Sequence, residues 1–250
     1  MTANVAVVTQ ARTNSTRLPA KVLERAAGTT MLEHHLLRLR AADLPVVVAT
    51  TDHPRDDAIV EIAEAMGVHW FRGSEPDVLD RFARCAEAYD LDGLVRVTSD
   101  CPLVDGHLVA RAVEEWRGAA DPWLYLSNAL VRTFPRGLDL EVFSTEALLL
   151  ADREASSAAE REHVTPYLYG NAEGRFRLEN LAFEEDASHL RITLDTPEDL
   201  TLLRRMIEDH DATSLDVRGL VDLLLAHPEL RALNADVRQK ELHDSGTATS

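Results

Sequence analysis

Between Gln10 and Lys21 the chain reads Gln10-Ala11-Arg12-Thr13-Asn14-Ser15-Thr16-Arg17-Leu18-Pro19-Ala20-Lys21, with the hydroxyls of Ser15 and Thr16 set between the cations Arg12, Arg17 and Lys21. Such a run suits a polyphosphate. Backbone N–H groups and short hydroxyls line a concave anion nest, Arg offers planar multidentate donors, and Lys a mobile point charge. Far along the chain, Asp100 and Asp195 each follow an apolar, β-branched run, and each is followed by a Pro-containing turn. Two carboxylates from separate strand ends, meeting over such a loop, are what Mg²⁺ needs, since it takes oxygen ligands and combines one or two carboxylates with substrate phosphates. Taken singly, either Asp also fits a local turn or cap.

The pattern of elements places these residues. Val5-Ala6-Val7-Val8 reads as a strand over residues 4 to 9, buried on both faces, and Pro45 to Thr50, Val68 to Phe71 and Leu94 to Thr98 as three more. Helices alternate with them: one capped by Thr30 with Glu33, one carrying Ile59, Ile62 and Met66, one capped by Ser74 with Asp77, and one over residues 106 to 117. That alternation predicts right-handed crossovers and a mainly parallel, doubly wound sheet, whose ligands bind beyond the carboxyl ends of the strands. From residue 122 the rhythm changes. Strands are expected at 123 to 126, 138 to 143, 176 to 181 and 190 to 194, with two helical patterns after residue 143, the second containing Glu160 to Tyr167. Thr196, Pro197 and Asp199 then open a helix over 197 to 209, and another follows over 216 to 226.

The 250 residues carry a net charge of −17, which argues against a nucleic-acid partner and against polybasic membrane attachment. An acidic protein that binds an anion must gather its positive charge locally. No apolar run approaches the ~20 residues of a membrane span, so a cytoplasmic protein is expected. Cys85 and Cys101 are too few for a disulfide framework or zinc site, and adjacent His34 and His35 read as structural. The chain lacks the GxxxxGK[ST] run of a P-loop and the GxGxxG of a dinucleotide fold.

The opening loop, with Thr98-Ser99-Asp100-Cys101-Pro102-Leu103, Phe134-Pro135-Arg136-Gly137-Leu138-Asp139, Glu162-His163-Val164-Thr165-Pro166-Tyr167 and Asp195-Thr196-Pro197-Glu198-Asp199, resembles the cytidylyltransferase-like proteins of the spore-coat polysaccharide biosynthesis type. It is more distantly similar to the synthetases that activate 3-deoxy-manno-octulosonate and sialic acids as CMP derivatives. The resemblance runs from residue 4 to about 205. It implies an α/β, Rossmann-like nucleotidyltransferase fold of the glycosyltransferase-A type, CTP as donor, and Mg²⁺ on Asp100 and Asp195. It also implies Arg12, Ser15, Arg17 and Lys21 around the triphosphate, and relatives of this type are often homodimers. Thr13-Asn14 stands where the family often has Met-Gly, and Ala20 where it often has Gly.

Within that frame Gln10, Ala11, Arg96 and Thr98 are expected beside the nucleotide, with Arg12, Lys21, Asp100 and Asp195 carrying the chemistry. Arg136, Glu141, Glu162 and His163 are candidates for holding an acidic acceptor. One domain is expected over residues 1 to 243, with an acceptor-side insertion at about 122 to 190 and a disordered tail at 244 to 250. Two alternatives share this architecture. A glycosyltransferase would use a DxD motif, which Asp90-Leu91-Asp92 and Asp209-His210-Asp211 match in letters, and a binding module would hold a nucleotide without turning it over.

Overall fold

The structure is a computed structural model that describes residues 3–238, so the expected tail at 244–250 lies outside the described residues. Strand β1 (Val5–Gln10) runs into the cationic loop, which ends in a 3₁₀ turn (Lys21–Leu23) and a small hairpin, β2 (Arg25–Ala26) and β3 (Thr29–Thr30). Helix α1 (Met31–Leu39) follows, its start fixed by the reciprocal Thr30 and Glu33 capping box. Then come β4 (Val46–Thr51), α2 (Asp57–Ala65), β5 (His69–Gly73), α3 (Val78–Ala88), β6 (Gly93–Thr98) and α4 (Gly106–Ala119). The rest comprises β7 (Leu124–Ser127), β8 (Glu141–Ser144), α5 (Thr145–Glu154), α6 (Ala158–His163), α7 (Pro166–Gly170) and β9 (Arg177–Asn180). Helices α8 (Pro197–His210), α9 (Val217–Ala226) and α10 (Pro228–Ala232) close the described chain.

Seven strands form one sheet in the order β5-β4-β1-β6-β8-β7-β9. Only β8 runs against its neighbours β6 and β7; the remaining pairs are parallel. Along β1 successive side chains go to opposite layers: Val5 and Val7 join one cluster with Leu36, Val109 and Leu203, while Ala6 and Val8 join another with Leu79, Phe82 and Leu148. Such two-sided burial, worth about 1.5–3 kcal/mol for each large apolar side chain, is why these strands read as near-continuous Val and Ala runs. Strand order reverses between β1 and β6, where Gln10 and Thr98 are register partners. A crevice at that reversal is the expected ligand position of an open α/β sheet. Among the described residues no helix is long and apolar enough to cross a membrane.

Four local expectations need correction. Residues 190 to 194 form no strand: only an isolated bridge joins Arg191 to Arg136, because this stretch bonds to loop backbone, Ile192 N–H donating to the Arg136 carbonyl at 2.7 Å and Leu194 N–H to the Asp100 carbonyl at 2.7 Å. Gly137 permits that approach; it sits at φ 108°, and a Cβ there would lie 2.6 Å from the Ile192 carbonyl carbon. The strand expected at 138 to 143 starts only at Glu141, since Leu138 and Leu140 bond instead to the side-chain amide of Asn128. Helix α3 is capped by Asp77, which accepts from Asp80 N–H, while Ser74 accepts from Asp77 N–H one turn earlier. Finally, the helical pattern around 160 to 167 is broken in two. Val164 adopts φ 71°, ψ −56°, and Thr165 N–H donates to the His163 carbonyl at 2.9 Å, a γ-turn of the rarer, strained hand with a fully buried β-branched residue at its centre.

Candidate active site

The opening loop leaves β1 and folds back on itself, with Ala20 N–H donating to the Thr13 carbonyl at 2.8 Å. Thr13 is anchored in turn: its N–H and hydroxyl both donate to Asp56 Oδ1, at 2.8 and 2.6 Å, and Thr51 holds the other oxygen of this buried acid. Asn14 donates to Glu75 at 2.8 Å. The Thr13-Asn14 pair thus ties the loop to the ends of β4 and β5. Ala20 closes it in the left-handed region, φ 54°, ψ 26°, a conformation that glycine adopts without strain.

That closure delivers Lys21 to the crevice. Its Nζ donates to Asp100 Oδ2 at 2.9 Å and to Asp195 Oδ1 at 2.7 Å. Two acids far apart in sequence meet because the Asp100 carbonyl accepts from both Leu194 N–H and the Thr193 hydroxyl, which pins the Asp195 turn beside the Asp100 turn. Burial alone would depress the Lys21 pKa, but the Asp100 and Asp195 charges outweigh it and the net direction is upward. For Asp100, burial pushes upward and is outweighed by Lys21 and by the Thr98 hydroxyl, which donates at 2.6 Å, leaving its pKa at about 2. The ammonium and the Asp100 carboxylate are both charged at neutral pH.

Asp195 is held from behind. Arg17 and Arg191 each approach its Oδ2 at 3.2 Å. Fully buried Asp199 accepts from the Asp195 and Thr196 N–H groups, from Arg191 and, at 2.8 Å, from Asn234 beyond α10. Asp100 is steadied by His35, whose Nδ1 lies 2.8 Å from the Cys101 carbonyl and whose Nε2 lies 2.8 Å from the Thr9 hydroxyl. A carbonyl only accepts, so Nδ1 carries the proton and Nε2 accepts from Thr9. Burial drives this imidazole to a pKa of about 4, which fits the structural role expected for it; His34, also buried, bonds the Ala26 carbonyl. Cys101 packs beside Asp100, and both cysteines are free and buried.

On the flank toward β8, Arg96 pairs with Glu141 and donates to Gln10 Oε1 at 3.0 Å. Glu141 also accepts from Tyr125 and Thr165, so its largely buried carboxylate is engaged by three protein donors. Arg12 lies 3.9 Å from Glu162. Helix α6, which bears Glu162 and His163, is clamped to α3 through Arg161, bonded to Asp77 and Asp152. His163 Nε2 is buried and has no partner among the described residues, and burial lowers its pKa. Beneath this flank lies Arg81, a fully buried cation bonded to the Ser74 carbonyl; burial, then the nearby Arg12 charge, take its pKa down to about 10. Nothing in its apolar-helix context marked Arg81 in the sequence.

The crevice therefore gathers Gln10, Arg96, Thr98 and Asp100 at the ends of β1 and β6 with Arg17, Lys21 and Asp195 from the adjoining loops, and Arg12, Glu162 and His163 alongside. Arg136 lines a cavity with Arg191 and Arg231, and Arg191 in turn reaches Asp195. The DxD letters fall elsewhere. Asp92 accepts from Asn4 N–H at the opposite end of β6, and Asp209 pairs with Arg205 on α8.

Among the described residues no group of three or more His, Cys, Asp or Glu side chains gathers to form a site by itself. The Lys21 ammonium, however, already occupies a point shared by both carboxylates and stands in for a cation there. Two carboxylates needing further oxygen ligands match the habit of Mg²⁺, which completes its shell with substrate phosphate and water.

Fold and crevice together define a nucleotidyltransferase. The profile of the family described as cytidylyltransferase matches residues 6–221, and the chain belongs to that family. It is 36% identical over 244 residues to an uncharacterized protein of Methanocaldococcus jannaschii, covering 95% of this chain and 97% of that one. It is 30% identical to the spore coat polysaccharide biosynthesis protein SpsF of Bacillus subtilis, covering 90% and 96%. Among solved structures, a cytidylyltransferase from Leptospira borgpetersenii superposes with a TM-score of 0.87 at 33% identity, covering 96% of this chain and all of that chain (100%).

Proposed function

We propose that the protein transfers CMP from CTP to an acidic sugar or a small phosphorylated or phosphonate acceptor, with release of pyrophosphate, in the service of polysaccharide synthesis. The observation that carries this reading is the Lys21 ammonium held between Asp100 and Asp195 at the crevice where strand order reverses. In the reaction an acceptor oxygen forms a bond to the α-phosphorus, and the bond from that phosphorus to the oxygen bridging it to the β-phosphate breaks. The electron pair leaves with pyrophosphate. Asp100 and Asp195 would hold Mg²⁺, which when bound supplies charge stabilisation at phosphoryl oxygens.

The chain's own groups do the remainder. Arg12, Arg17 and Lys21, with Ser15 and the backbone at Gln10 and Ala11, receive the triphosphate and balance the charge that grows on the departing pyrophosphate. Arg96, fixed by Glu141 and Gln10, and Thr98 border the nucleoside side. Glu141 acts here as the support of Arg96. Glu162 and His163 border the acceptor side, the His163 ring being held neutral by burial. The deciding experiment is a pyrophosphate-release screen of four nucleoside triphosphates with Mg²⁺ against a panel of sugar acids, sugar phosphates and phosphonates. Release with CTP and one acceptor class is expected. No release with CTP and any acceptor from folded protein would overturn the reading in favour of a nucleotide-binding module.

A further inference from the structure

In a chain of net charge −17, one cavity is lined by three guanidinium groups. It encloses about 340 Å³ among residues 188 to 191, helices α8 and α9 and the stretch after α10; Arg136, Arg191, Arg231 and His189 border it, and Leu202 and Leu224 give it an apolar floor. The cations differ in state. Arg191 is engaged with Asp195 and Asp199. Arg136 and Arg231 have no carboxylate partner among the described residues, and Nε of Arg231 is buried without an acceptor. The carboxylates nearest Arg136 are already paired, Asp139 with Arg132 and Asp195 with Lys21, Arg17 and Arg191. The cavity thus carries positive charge in which neither Arg136 nor Arg231 is paired with a carboxylate. A tetrahedral oxyanion meets that need, because guanidinium groups bind phosphate oxygens through parallel N–H donors.

We propose that this cavity is a second anion site, separate from the triphosphate loop, that takes a phosphate-class group through Arg136 and Arg231, with His189 and Ser188 as flanking donors. The apolar floor has room for the organic body of a small phosphomonoester. Arg191 belongs to both places, so an occupant here touches a guanidinium that also steadies Asp195.

The test is calorimetric titration of the full chain with inorganic phosphate, glycerol phosphate and malonate at constant ionic strength, with no nucleotide present. Wild type should bind phosphate, Arg136→Met and Arg231→Met should each weaken binding about tenfold or more, and Arg12→Ala, altered in the triphosphate loop, should keep it. The Arg136 variant serves if Arg231→Met fails to fold. Tighter binding of glycerol phosphate than of inorganic phosphate would support a phosphomonoester occupant, and equal binding a free anion in the same site. Unchanged phosphate affinity in both Arg variants, loss of it in Arg12→Ala alone, or malonate binding as tightly as phosphate would overturn the proposal. None of these readouts depends on turnover, so the site stands or falls apart from the transfer reaction.

Discussion

Nζ of Lys21 lies 2.7 Å from Asp195 Oδ1, although 174 residues separate the two in the chain. The contact makes Lys21 a member of the same cluster as the acids, and its position in the loop lets it follow a triphosphate. Lys21→Met should therefore lower kcat by about 10²–10³-fold while changing the Michaelis constant for CTP only a few-fold. Steady-state kinetics of pyrophosphate release checks this. A normal kcat with only a raised Michaelis constant would assign Lys21 to ground-state binding.

Asp199 is fully buried and takes hydrogen bonds from Arg191, Asn234 and two backbone amides. Removing it strands the Arg191 charge and frees the turn that presents Asp195. Asp199→Ala should cost about 3–5 kcal/mol in urea unfolding. A loss below about 1 kcal/mol, the scale of an exposed pair, would show that the network adds little to the fold.

His35 gives a pH signature. Its folded pKa of about 4 lies below the unfolded value of 6.5, so the unfolded chain binds more protons between those limits. The stability it contributes is complete above about pH 6.5 and is lost as pH falls toward 4, roughly 3 kcal/mol over that window. Urea unfolding at several pH values should show a shallower slope in His35→Gln than in wild type. Identical slopes would mean that the ring is not held neutral.

Ala20 closes the opening loop at φ 54°. Glycine removes the Cβ strain of that conformation and adds unfolded-state entropy, so the two effects oppose. Because a left-handed Ala costs about 1–2 kcal/mol, Ala20→Gly should come out ahead by about 0.5–1 kcal/mol. Thermal unfolding reads the sign, and a lower midpoint would show that the loop relies on alanine's stiffness.

Much of the donor half was legible because its signals are local. Val and Ala runs mark strands buried on two faces, and Thr30 with Glu33 and Thr196 with Asp199 mark helix starts within four residues. The turns that carry the two acids were marked locally too, by Pro102 after Asp100 and Pro197 after Asp195. What escaped depends on distance. Asp199 reads as a cap, and nothing near it in sequence announces Arg191 and Asn234 as further partners. Glu141 likewise gives no local sign of Arg96, Tyr125 and Thr165 as its partners. The Val164 turn reads as continued helix, since a β-branched residue gives no local hint of positive φ. Residues 190 to 194 have strand composition but find loop backbone as partners, so composition alone misplaced them.

The single reversed strand has an engineering consequence. Because β8 meets β6 through one antiparallel ladder, strands β5, β4, β1 and β6 adjoin strands β8, β7 and β9 in the sheet along one seam, crossed by the Arg96 and Glu141 pair. A chimera exchanging residues 124 to 180 for those of a relative keeps a registered sheet if it preserves this pair and the register of Gly93 with Ser144. Acceptor preference could then be transplanted as a cassette, leaving the polyphosphate crevice as built.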